Sequence, residues 1–173
     1  MPEERDGPRE GYVIERPNRE KGASKATKAV VVLLLLASAA ILIIVTIGGW
    51  DALEGAKPVQ IFFIAIFIFM AFMIARWNRG LLPVAAALSI ILLIFAAVSG
   101  NLWFERNKDG FTSPALDEDI IGLLTFLLVP VQVLLIGFSM RGFAQAWNVE
   151  VERPADGSRH GDAGGRRSSP QPA

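Results

Sequence analysis

The sequence predicts an all-α integral membrane four-helix bundle with disordered N- and C-terminal tails. Three observations carry this. Charged residues leave four long gaps: 22 residues between Lys28 and Asp51, 18 between Lys57 and Arg76, 25 between Arg79 and Glu105, and 21 between Asp119 and Arg141. Each gap is dense in Leu, Ile, Val, Phe and Ala, and about 20 apolar helical residues cross the ~30 Å hydrocarbon core of a bilayer. Finally, Trp50, Trp77, Trp103 and Trp147 each stand at, or a few residues past, the end of a different gap. An amphipathic indole prefers the headgroup level, so all four are expected to be interfacial anchors.

The N-terminal segment 1–28 is rich in charge, Pro and Gly. It lacks the apolar area to fold alone and reads as a disordered tail. Tyr12-Val13-Ile14 is its only apolar cluster, and Ser24 is a plausible N-cap for the helix that follows. The spans are placed at 29–50, 59–75, 81–100 and 120–140. Lys25 and Lys28 ahead of an apolar run, with Ala37-Ser38-Ala39 inside it, have the look of a signal peptide. The run continues apolar through Ile41–Ile47, however, so an uncleaved first span is the reading. In the loop after the third span, Ser113-Pro114 reads as N-cap plus first helical proline. Asp117, Glu118 and Asp119 then suit the positive end of the fourth helix. Segment 141–151 is expected to continue that helix as an interfacial extension, with Phe143 and Trp147 on one face. Segment 152–173, which contains the lone His160, reads as a second disordered tail.

Orientation follows from loop charge. With four spans both tails share a side. That side holds 14 Lys and Arg, whereas the other holds Lys57, Arg106 and Lys108 against seven acids. Basic residues stay in the cytoplasm, so both termini are expected inside the plasma (inner) membrane. A net charge of zero over the whole chain conceals this asymmetry.

The spans hold no Asp, Glu, Lys, Arg or His. Such residues mark proton relays and ion pathways when they occur in a membrane. The absence of Cys removes disulfides and thiolate metal sites, and no phosphate-binding glycine loop or dinucleotide fingerprint occurs. No catalytic, cofactor-binding or metal-ligating residue is expected, and no nucleic-acid partner.

Small polar residues remain in the spans. On the third helix Ala85, Ser89, Leu92, Ala96 and Ser99 follow steps of three and four. On the fourth, Gly122, Thr125, Val129, Gln132, Ile136 and Ser139 do the same. Such seams pack helices through small residues. Counting ~1.5 Å per residue from the tail-side end of each span puts Ser38, Ser89 and Gln132 all about 12–13 Å deep. They are expected to form a helix-packing polar layer, with Gln132 facing the bundle. Pro58-Val59-Gln60 echoes Pro130-Val131-Gln132, but the spans around them do not superpose, and the echo reads as chance. The expected function is an accessory or scaffold subunit of a membrane complex. Its partners are the lipid bilayer and another membrane protein or itself. The alternative is an oligomeric channel or transporter for a small solute.

Overall fold

The computed structural model describes residues 12–106, 108 and 110–154. Its element order is β1 (Tyr12–Glu15), α1 (Pro17–Glu20), α2 (Gly22–Gly48), α3 (Lys57–Ala75), α4 (Leu81–Phe104), α5 (Glu118–Ala144) and β2 (Val151–Pro154), with short 3-10 turns at Trp50–Ala52 and Glu54–Ala56. The four long helices are each long and apolar enough to cross a membrane. Residues 1–11 and 155–173, and with them His160, lie outside the described residues.

The described chain forms two compact units. The first joins the segment ending at Pro17 to the segment beginning at Val149. Within it β1 and β2 pair antiparallel, with Val13 opposite Arg153 and Glu15 opposite Val151. Expected disorder is therefore corrected at 12–15 and 152–154. The aromatic Tyr12 and β-branched Val13 and Ile14 suit a strand, and two ion pairs stand along the ladder: Arg16 to Glu150, and Arg153 to Glu15 at 2.9 Å. Both pairs are about half exposed, so each contributes on the order of 0–1 kcal/mol.

The second unit, Asn18–Asn148, contains the helices. Residues expected in the disordered N-tail enter it too, since 22–28 form the first turns of α2. The helix begins after Lys21, and Ser24 is buried in its first turn rather than capping it. Pro58 opens α3, where its missing N–H is no loss. Asp117, not Ser113, is the N-cap of α5, with its carboxylate accepting from the Asp119 N–H at 2.9 Å. That is an Asx-type cap, and it leaves Ser113-Pro114 in the loop.

Helix α2 packs along α3 and α5, and α4 packs along α5 over most of its length, whereas α3 and α4 touch only over a short stretch. The core runs through Val31, Leu35 and Leu42 of α2, Phe67, Met70 and Ile74 of α3, Leu82 and Leu92 of α4, and Leu128 and Leu135 of α5. On α4 the inward line is Leu82, Ala85, Ser89, Leu92, Ala96, Gly100 and Trp103. Gly100 takes the place expected for Ser99, whose hydroxyl donates to the Phe95 carbonyl on an exposed side. On α5 the line is Gly122, Thr125, Leu128, Gln132, Leu135, Ser139 and Gly142. Leu128 and Leu135 thus replace Val129 and Ile136, whereas Gly122, Thr125, Gln132 and Ser139 keep their expected places.

The expected interfacial extension 141–151 is corrected as well. Helix α5 stops at Ala144, and Ala146 turns the chain at φ 48°. A left-handed residue just past a helix end reverses the chain. Trp77 does the same after α3 at φ 67°.

Candidate functional site

Residues of three kinds stand out: buried polar groups in the bundle, an aromatic and cationic cluster at its tail end, and an apolar groove at its loop end.

Ser38, Ser89 and Gln132 are all fully buried. Gln132 Nε2 donates to Ser38 Oγ at 2.8 Å, and Ser38 Oγ donates to the Leu34 carbonyl one turn back. The structure joins two of the three residues; Ser89 Oγ has no hydrogen-bond partner, and neither do Gln132 Oε1 and Ser139 Oγ. A buried acceptor without a donor costs free energy, and removing it returns that cost. This sets up an asymmetry. Gln132→Leu deletes a bond worth about 0.6–1.7 kcal/mol and an orphan oxygen together. Ser38→Ala leaves both ends of the Gln132 amide unpaired. Ser38→Ala is therefore expected to cost more than Gln132→Leu in thermal unfolding of detergent-solubilised protein. The opposite ranking would show that Gln132 supplies more than this pair.

Sequence reasoning missed a second glutamine. Thr46 Oγ1 lies 2.6 Å from the Leu42 carbonyl and 2.5 Å from the Gln60 side-chain oxygen. A hydroxyl has one proton. With it given to Leu42, the Thr46 oxygen accepts from the Gln60 amide turned end for end, which is the arrangement at Ser38 and Gln132. Both glutamines of the Pro-Val-Gln echo thus reach hydroxyls of α2, eight residues apart. The echo was the available signal.

At the tail end the turns after α3 and α5 bring Trp77 and Trp147 edge to face, with ring centroids 5.3 Å apart. Lys28 Nζ stands 4.0 Å over the Trp77 ring and donates to the Ala75 carbonyl. Arg19 donates to the Trp147 carbonyl, and Arg79 donates to the Phe143 carbonyl and to Asn148. Trp147 Nε1 donates to Gln145 Oε1, and Gln145 Nε2 donates to Thr27. These cations serve the carbonyl-rich ends of helices, where positive charge is favoured.

The four Trp side chains separate into two groups. Trp50 is 45% exposed and Trp77 half-buried, whereas Trp103 and Trp147 are buried at 6% and 0%. For these last two the expected anchoring role is corrected. Trp147 belongs to the main core cluster, and Trp103 packs with Val45, Ala52, Leu53 and Ile121 at the loop end.

At the loop end a cavity of about 540 Å³ lies where α3 and α4 part. Its walls are Val59, Gln60 and Phe63 of α3 and Phe95, Val98 and Ser99 of α4. Leu42 and Val45 of α2 and Thr125 and Leu128 of α5 form its floor, and Trp103 stands at its outer end. Phe63 meets Phe95 edge-on at 6.4 Å. Among the described residues no group of three His, Cys, Asp or Glu is placed to hold a metal. No known protein family, curated protein or solved structure matches this chain.

Proposed function

We propose that the chain is an integral protein of the plasma (inner) membrane, both termini cytoplasmic, that acts without catalytic chemistry as an accessory or scaffold subunit, binding another membrane protein or a second copy of itself. One observation carries the membrane reading. Large apolar side chains stand exposed around the bundle, among them Leu33 and Ile47 on α2, Phe62, Phe69 and Phe72 on α3, Ile94 and Val98 on α4, and Leu123 and Val133 on α5. Water does not tolerate so continuous an apolar belt, whereas hydrocarbon does. The 14-to-3 distribution of basic residues supports the orientation.

The hydroxyls support the non-catalytic reading. Ser38, Thr46, Ser99 and Thr125 all reach the carbonyl one turn back on their own helix, as packing hydroxyls do. The unpartnered Gln132 Oε1, Ser89 Oγ and Ser139 Oγ favour the second reading, a channel or transporter for a small solute. Solute flux through vesicles holding the pure protein, set beside affinity capture from native membranes, separates the two. An accessory subunit moves nothing and brings down a stoichiometric partner.

Topology has its own test. Thr112→Cys is expected to react with a membrane-impermeant maleimide on intact cells, and Val149→Cys only after lysis. The reverse pattern would invert the orientation.

A further inference from the structure

Only three basic side chains belong to the loop end, Lys57, Arg106 and Lys108, against seven acids. Two of the three stand beside the groove between α3 and α4. Lys57 follows the lining residue Ala56, and its ammonium lies 4.7 Å over Trp50. The Arg106 guanidinium lies 5.4 Å over the ring of Trp103, which lines the groove, and its Nε is buried without an acceptor. Among the described residues neither cation is in an ion pair, although the acids Asp51, Glu54 and Glu105 are near in sequence. An otherwise acidic surface thus places positive charge at the mouth of an apolar slot.

The slot has a definite length. On α4 its lining runs from Leu92 to Trp103, which is about 16 Å of helix at ~1.5 Å per residue. That matches one leaflet, half of the ~30 Å hydrocarbon core. A transmembrane helix of a partner would need a groove through both leaflets. Here Phe63 is the innermost α3 residue of the lining, its ring set against Phe95, and the fully buried Phe67 one turn further belongs to the closed core. The volume falls within the ~300–1,000 Å³ typical of small-ligand sites, and its lining includes the exposed Val59, Ile94, Phe95 and Val98 of the apolar belt.

We infer that this groove is a binding site for an anionic phospholipid of the leaflet at the loop end, with one acyl chain between α3 and α4 and the phosphate at Arg106 and Lys57. The inference rests on the membrane reading given above. The chain displaces no core residue. The phosphate accepts from the Arg106 guanidinium, which stands over Trp103 and Phe111, through a charge-assisted bond. The acids around the rim hold phosphate away from the rest of the surface, so the preference for an anionic lipid belongs to this position.

The test is native mass spectrometry of the full chain in detergent, titrated with phosphatidylglycerol and with phosphatidylcholine. One phosphatidylglycerol is expected to bind at least tenfold more tightly than phosphatidylcholine. Lys57→Gln with Arg106→Gln is expected to abolish that preference while one lipid still binds. Val98→Trp, at a 61% exposed position on the groove wall, is expected to lose the lipid of either kind, and Ser99→Phe is a second blocking variant should the first fail to fold. Equal binding of the two lipids by the unaltered chain, a preference that survives loss of both cations, or a lipid retained by both folded blocking variants would overturn the site. So would crosslinking of a partner helix, rather than lipid, to a photoreactive residue placed at position 98. Carbonate extraction of native membranes keeps the two readings apart. Release of the chain would defeat the membrane reading itself, whereas a retained chain that binds no lipid defeats only the groove.

Discussion

Trp147→Ala is expected to lower the stability of the helical unit by about 3–5 kcal/mol, the range for emptying a buried large aromatic site. The indole is fully buried and lies against Gly142 and Leu82, with Trp77 across from it. Removing it opens a cavity between the ends of α4 and α5. It also leaves Gln145 Oε1 without its donor, and Gln145 is the link to Thr27 on α2. Trp147→Phe keeps an aromatic ring in the site and gives up part of the indole together with its N–H, so it is expected to cost less than the alanine change. Thermal unfolding in detergent micelles, followed by circular dichroism, reads both variants. A loss below about 1 kcal/mol for the alanine variant would mean that the site lies at a headgroup surface after all, where truncation leaves no cavity.

Gly48→Val is expected to destabilise by about 1–3 kcal/mol, as overpacking does. A Cβ at this position would stand 2.8 Å from Leu116 Cβ. A contact between two β-carbons is not relieved by rotating a side chain, so backbone must move. The backbone concerned ties the loop after α4 to the end of α2, with the Leu116 N–H donating to the Gly48 carbonyl at 3.0 Å. Gly55→Ala is the control, since nothing lies within 4 Å of a Cβ there. The same melting measurement checks both. Equal shifts for positions 48 and 55 would show that the loop yields freely.

The sequence announces the four helices because charge is excluded from each one, a property of composition that survives whatever the tertiary structure does. Helix ends were less legible. α2 starts seven residues before the expected span at 29, and α4 runs to Phe104 rather than 100, because a helix does not have to stop where hydrocarbon stops. Gln132 was readable as inward-facing, since a primary amide has no partner in hydrocarbon. Depth counting placed Ser38 and Ser89 equally near it, and only the rotation of each helix decides which serine it meets. The burial of Trp103 and Trp147 was not legible, because an indole at a span end looks the same whether it meets headgroups or a neighbouring helix. The β1–β2 ladder joins residues more than 130 apart in sequence, beyond any local pattern. The groove was invisible for a related reason. It exists because α3 and α4 part near the loop end, and no periodicity within either helix encodes their separation from each other.

The closure of α2 against α5 has a kinetic meaning. Neighbours along the chain, α2 with α3 and α4 with α5, meet after closing short loops, whereas α2 meets α5 only across some 90 residues, as at Ser38 and Gln132. Contacts of large sequence separation cost the most chain entropy and form late. Two helical hairpins are therefore expected to assemble first, with the seam between them zipping last. Two apolar helix faces slide past one another with little preference for register. The N–H of Gln132 meets the Ser38 hydroxyl at one position along α2, so the contact expected to close last is also one that fixes the alignment of the halves.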